Sequence, residues 1–261
     1  MEVTSLHIYP IKSLGGISVK SGKATYEGFE NDRRWMLVAR DGLFLTQRKF
    51  AEMAKFSCAL DESGINVKFE NDHLQIPLTA HNDKVFRVKV WSSKLKANEV
   101  STEASAWFSE RLGSNVTLVR MTVISKRYKR LFTPPYKTDL SFADGYPYLI
   151  LGEASMTELN DKVTEDIPAD RFRANIIVST SEPHEEDTWR SDFKIGDISM
   201  KVIKGCARCV VTTIDQQSGK KGKEPLKTLA TYRKWRNKIW FGANAICLEP
   251  GTIRVLSLIH I

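Results

Sequence analysis

Short runs in which apolar and polar residues alternate, broken every few residues by turn formers, constrain this chain more than any other feature. Val85-Phe86-Arg87-Val88-Lys89-Val90-Trp91 shows the pattern well. Side chains on a strand point to its two faces in turn, so such a run buries one side and wets the other. Trp35-Met36-Leu37-Val38 and Leu43-Phe44-Leu45-Thr46 flank Arg40-Asp41-Gly42, and Asp-Gly is the dipeptide a tight hairpin needs. A second hairpin runs from Ile65-Asn66-Val67-Lys68-Phe69 across Asn71-Asp72 to Leu74-Gln75-Ile76. Further strands are expected over 3–9, 116–119, 175–178, 198–203 and 251–255. Helices are few. One starts at a Thr102 cap, puts Ala104, Trp107, Phe108 and Leu112 on one face and stops at Gly113. Others are expected over 155–163 and from Leu226 after Pro225, with Leu226, Leu229 and Tyr232 facing inward. Many short strands and few helices predict a β-rich α+β fold rather than a doubly wound sheet.

With 261 residues the chain has ample length to bury one large core or two modest ones. The polar, basic stretch 125–138, with Pro134-Pro135, reads as a linker or mobile loop. It divides the chain into 1–125 and 126–261. Apolar runs are too short to span a bilayer. The opening Met-Glu-Val-Thr-Ser lacks the basic start and apolar middle of a secretion signal. Four cysteines without regular spacing suit a reducing compartment, so a cytoplasmic protein is expected. The formal charge of +8 fits nucleic acid, an anionic surface or an anionic small molecule. The basic clusters, 126–130 and 220–223, belong to no nucleic-acid-binding motif. Nucleic acid is therefore not expected as a partner.

Chemistry concentrates in Gly205-Cys206-Ala207-Arg208-Cys209, followed by the β-branched run Val210-Val211-Thr212-Thr213-Ile214. A guanidinium beside a thiol favours the thiolate, so Arg208 next to Cys209 suggests a reactive sulfur or a soft metal ligand. The competing reading is a pair of small apolar side chains at the start of a strand. Structural zinc needs four ligands, and Cys58 and Cys247 stand alone. A thioredoxin-like dithiol opens a helix, whereas 210–214 reads as strand. No histidine has the local context of a base. Phosphate loops and dinucleotide fingerprints are absent. The turn Ile11-Lys12-Ser13-Leu14-Gly15-Gly16 still offers an ammonium, a hydroxyl and free amides, which an anion accepts. Asp32-Arg33-Arg34 and Thr46-Gln47-Arg48 each add a guanidinium.

Taken in order, these segments resemble a known family. Tyr9-Pro10-Ile11-Lys12-Ser13, Asp32-Arg33 and Thr46-Gln47-Arg48 are similar to the N-terminal β-barrel module of MOSC proteins. Ser141-Phe142-Ala143-Asp144-Gly145-Tyr146-Pro147, Arg171-Phe172-Arg173-Ala174-Asn175, Glu186-Asp187-Trp189, Cys206-Ala207-Arg208-Cys209 and Glu224-Pro225-Leu226 resemble the MOSC domain that follows it. The resemblance runs through nearly the whole chain, and within the family it points to amidoxime-reducing components and bacterial N-hydroxylated-base reductases. It implies an N-terminal β-barrel-like module, then a MOSC β-barrel domain with a few helices. It also implies a molybdenum cofactor, a pterin with a phosphate and a dithiolene. The second cysteine of the pair, Cys209, then maps onto the metal ligand. Lys12, Ser13 and Arg33 match positions that grip phosphate and pterin. Arg173, Asn175 and Arg208 match further cofactor contacts. Asp144 matches an acidic residue near the metal, a proton donor or substrate anchor, and Cys206 is left as packing.

The implied activity is reduction of N-hydroxylated or N-oxygenated small molecules. The alternative is a non-catalytic carrier of the cofactor or of persulfide sulfur. Two departures stand out: Ala207 replaces a serine frequent between the cysteines, and the segment after 254 lacks the usual Gly-Asp turn. Some relatives carry a fused iron–sulfur domain with clustered cysteines, which these residues lack. Either a separate flavoprotein or iron–sulfur reductase donates electrons, or this is part of a longer chain.

Overall fold

The computed structural model describes residues 1–189 and 191–261. Strands hold 42% of the chain and helices 16%, which makes the fold β-rich α+β, as the alternation predicts. A nine-stranded sheet forms its backbone. Along its main path lie strands 17–19, 3–8, 176–178, 148–152, 238–247, 198–207, 192–195 and 259–260, and 234–235 pairs beside 238–247. All those pairings are antiparallel except that of 148–152 with 176–178, where α2 (Glu153–Asn160) opens the crossover. A four-stranded sheet orders 35–39, 116–120, 93–99 and 85–90, and a three-stranded one joins 57–61, 64–69 and 72–76. No helix among the described residues is long and apolar enough to cross a membrane.

Two features of this topology build the site. First, the start of the chain pairs with strands of its second half: Leu6 pairs with Ile176 at one end of the large sheet, and Ser21–Thr25 pairs with Gly251–Arg254 in a separate three-stranded sheet. Second, the loops that leave strands 3–8 and 198–207 and the loop that leads into strand 148–152 open on a common cleft. Val3, Leu6, Tyr148, Phe193 and Ile253 pack one core on the large sheet. Trp35, Phe56, Phe108 and Leu118 pack another beneath α1 (Thr102–Leu112).

Four local expectations need correction. Helix α1 is capped by Ser101, whose Oγ accepts the Ala104 N–H at 3.0 Å, so Thr102 is the first helical residue. The 155–163 helix is shifted to Glu153–Asn160. The stretch 125–138 contains a hairpin of Tyr128–Arg130 against Lys137–Asp139, and Arg127 in it is buried. The run after Cys209 is not a strand. Val210–Thr213 forms a 3₁₀ turn, in which the Thr212 and Thr213 hydroxyls donate to the carbonyls of Cys209 and Val210 at 2.9 and 2.8 Å. Such back-bonding offers the backbone an alternative to a sheet ladder and outweighs the β preference of the side chains.

Candidate active site

Every residue singled out from the sequence, Lys12, Ser13, Arg33, Asp144, Arg173, Asn175, Arg208 and Cys209, lines one open cleft of about 410 Å³. Among the described residues, eight basic side chains face it against a single carboxylate, Asp144. That imbalance in a concave site draws anions and holds them there.

The inner wall is built around Asp32, which is fully buried. Its carboxylate accepts the Tyr9 N–H at 2.8 Å, the Asn175 amide at 3.2 Å and the Arg33 guanidinium at 2.7 Å. Arg33 also donates to Asn175 Oδ1 at 3.0 Å and to the Arg173 carbonyl at 3.1 Å. Asn175 gives its remaining groups to His7 and Leu149. Its amide is thus spent within the protein, where it positions Arg33. Arg33 and Arg173 lie over the Tyr9 ring at 4.4 and 4.3 Å, a stack that steadies both cations. Ser13, Arg33 and Arg173 all adopt left-handed backbone, at φ 71°, 49° and 55°. Each costs on the order of 1 kcal/mol in a non-glycine residue, and such strain gathers at functional sites. Burial pushes the Arg173 guanidinium down to about 10, so it stays a cation at neutral pH. Its Nη2 is buried without a hydrogen-bond partner, as is Nε of Arg208. A buried donor left unpaired costs about 1–3 kcal/mol, so both atoms call for an acceptor in the cleft.

The outer wall carries the sulfur. Cys209 Sγ accepts a hydrogen bond from Arg48 Nη2 at 3.1 Å. Arg208, its neighbour in sequence, turns away: Nη1 donates to Cys206 Sγ at 3.0 Å and Nη2 to the Phe172 carbonyl at 2.6 Å. The cation beside the candidate ligand is therefore Arg48, not Arg208. Extended backbone explains this, because residues i and i+2 share a face and i+1 takes the other. Arg48 in turn lies 4.8 Å from the Trp91 ring, and the Trp91 indole N–H donates to Asp144 at 3.1 Å. Trp91 had no local sequence signal; its spacing from Asp144 is visible only in three dimensions.

Asp144 also accepts from Lys12, whose ammonium donates to the Phe142 carbonyl at 2.7 Å. Arg127 braces this loop from behind with hydrogen bonds to the Ser141, Ala143 and Asp144 carbonyls. Burial opposes ionisation of Asp144, but the Lys12 ammonium, the Trp91 indole and Arg48 reverse it and hold the carboxyl well below its usual range. The side chain is 57% exposed into the cleft, which weakens the opposing burial cost. Asp144 is thus an anion at neutral pH. It can accept hydrogen bonds, which suits a substrate anchor, and it holds no proton to donate.

This has a measurable sign. A carboxyl with a depressed folded value stabilises the fold above its unfolded value, near 4, and loses that contribution as pH falls through the folded value. The difference in urea midpoint between the wild type and Asp144→Asn is expected to be constant from about pH 5 to 8 and to close below about pH 4. A difference that widens on acidification would contradict the ion pair.

Comparison with known proteins gives the family. One family model, the MOSC N-terminal beta barrel domain, matches residues 1–115, and another, the MOSC domain, matches residues 137–257. The mitochondrial amidoxime-reducing component 1 of Mus musculus is 30% identical over 97% of this chain and 80% of its own length. The chain belongs to the MOSC family. This MOSC protein is also 31% identical to the mitochondrial amidoxime reducing component 2 of Bos taurus, over 88% of the chain and 72% of that protein. It is 34% identical to the molybdenum cofactor sulfurase of Oryza sativa over 93% of the chain, but spans only 32% of that longer protein.

Proposed function

We propose that this chain is a molybdenum-cofactor-dependent oxidoreductase that reduces N-hydroxylated or N-oxygenated small molecules. The observation that carries the reading is the pairing of one arginine-bonded sulfur, Cys209, with a cationic cleft that has buried donors unpaired. Among the described residues no group of three or more His, Cys, Asp or Glu side chains could hold a metal. A metal on Cys209 must therefore bring most of its ligands with it, as one carried by a pterin dithiolene does. The residues fit that group. Cys209 supplies a soft thiolate, while Arg173, Arg208, Arg33 and Ser13 meet the anionic pterin and its phosphate. When bound, the cofactor supplies two-electron redox chemistry at the metal.

The chain's own residues do the rest. Asp32 and Asn175 fix Arg33, and Tyr9 stacks both inner guanidinium groups. Arg48 complements negative charge on the Cys209 sulfur. Asp144, ionised and held by Lys12 and Trp91, accepts the N–H or O–H of a bound hydroxylamine or amidoxime and orients its N–O bond. The overall reaction consumes two electrons and two protons, breaks the N–O bond and releases water. The electrons come from a separate donor, a flavoprotein or iron–sulfur reductase.

The 34% identity to a molybdenum cofactor sulfurase favours one other reading, a carrier of cofactor or persulfide sulfur. Protein made in a host that synthesises the cofactor separates the two. One molybdenum per chain and amidoxime reduction with reduced viologen are expected of the reductase. Bound cofactor without turnover supports the carrier, and metal-free protein from that host overturns the reductase.

A further inference from the structure

We infer that the substrates of this enzyme carry a second, anionic group, a carboxylate or phosphate ester, which binds at Lys129, Lys204 and Tyr146. The inference rests on the reductase reading and narrows its substrate class. Lys129 lies on the hairpin strand Tyr128–Arg130 and Lys204 on the long strand Ile198–Ala207. Both ammonium groups lie over one ring, Tyr146, at 5.3 and 5.5 Å from its centroid, and all three residues line the cleft. Among the described residues no carboxylate lies within 4.0 Å of either ammonium, and neither ammonium nor the Tyr146 hydroxyl has a hydrogen-bond partner. Burial and the neighbouring Lys204 lower the Lys129 ammonium, as expected of two like charges that lack a counter-ion.

The contrast with the inner wall gives this trio its meaning. Arg33 and Arg173 likewise share a ring, Tyr9, but Arg33 is matched by Asp32, Asn175 and a carbonyl. Those two cations are organised by the protein and serve the cofactor. The pair on Tyr146 has no such internal partner. It sits two residues along the chain from Asp144, the carboxylate assigned to the N–O group. A molecule anchored at Asp144 by its N–OH therefore presents its far end to three free donors. An anion there relieves the repulsion between the lysines and accepts hydrogen bonds from all three.

The test uses the loaded, full-length protein with a neutral aryl amidoxime and its para-carboxylate and para-phosphonate analogues. Wild type is expected to favour an anionic analogue in kcat/KM by roughly tenfold, about one charge-assisted hydrogen bond. The two analogues show which anion the trio prefers. Added salt shrinks the preference. Lys129→Ala with Lys204→Ala removes it while leaving the neutral substrate within about twofold, and Lys129→Gln with Lys204→Gln does the same if the alanine pair folds poorly. Calorimetry with the anionic amidine products, which need no turnover, is expected to show about tenfold weaker binding to the variants. Equal kcat/KM for all three substrates overturns the inference, as does an equal loss on all three in the variants, which would move the lysines to the cofactor. If no amidoxime is reduced by molybdenum-loaded wild type, the reductase reading falls. The calorimetric arm then decides the anion site alone: loss in the variants upholds it, and unchanged binding overturns it.

Discussion

Cys209→Ala is expected to strip the protein of molybdenum and to lower amidoxime reduction by more than about a hundredfold. Loss of an outer partner of a metal ligand already costs about 10–100-fold, and loss of the ligand costs more. Cys206→Ala is expected to keep both metal and activity. The two thiols are three residues apart, both half-buried and both hydrogen-bonded to an arginine, so this contrast tests a geometric assignment. Arg48→Met is expected to fall between them, with metal loosened about tenfold, because the sulfur keeps its place and loses its cation. None of these changes disturbs a core, so melting temperatures are expected to stay within a few degrees. Molybdenum analysis beside a viologen assay on the three variants is the measurement. Equal loss in both cysteine variants would overturn the assignment of Cys209.

The largest stability effect is expected at Asp32. Asp32→Ala removes three hydrogen bonds at once and leaves the Arg33 guanidinium short of its charge partner in a wall that admits little water. Breaking a buried ion pair from one side costs about 3–5 kcal/mol. In a chain of this size that lowers the melting temperature by on the order of 10 °C. Asp32→Asn keeps the shape and is expected to lose less. Both variants are expected to bind cofactor poorly, since Arg33 then has only Asn175 and a carbonyl to orient it. A scanning-calorimetry difference below about 1 kcal/mol would show that water replaces the carboxylate.

The strands were legible because their signal is local. Alternation marked Val85–Val90, and Asn71-Asp72 marked the hairpin of Gly64–Phe69 with Asp72–Ile76. That the motif residues share one cleft was legible too, because the motifs stand in family order. What failed was anything that depends on direction or distance. Arg208 is adjacent to Cys209 in sequence yet bonds to Cys206, while the arginine that reaches Cys209 lies 161 residues away. Composition could not show that Arg127 braces the Asp144 loop, because a basic run looks the same whether its residues are solvated or buried. The same limit applies to Lys129, whose stretch reads as a linker although its ammonium lies over Tyr146.

The interlaced ends of the chain bear on how the protein is made. Lys12 and Cys209 face one cleft, but the ribosome releases them far apart in time. At roughly 5–20 residues per second the interval is on the order of 10–40 s. Meanwhile strand 3–8 has only strand 17–19 beside it, because Ile176–Val178 does not yet exist, and Ser21–Thr25 must wait longer still for Gly251–Arg254. A nascent chain therefore has neither a finished sheet nor a cleft. Only a chain translated past residue 254 can close both pairings, so a product shortened before that point lacks the strand that Ser21–Thr25 needs.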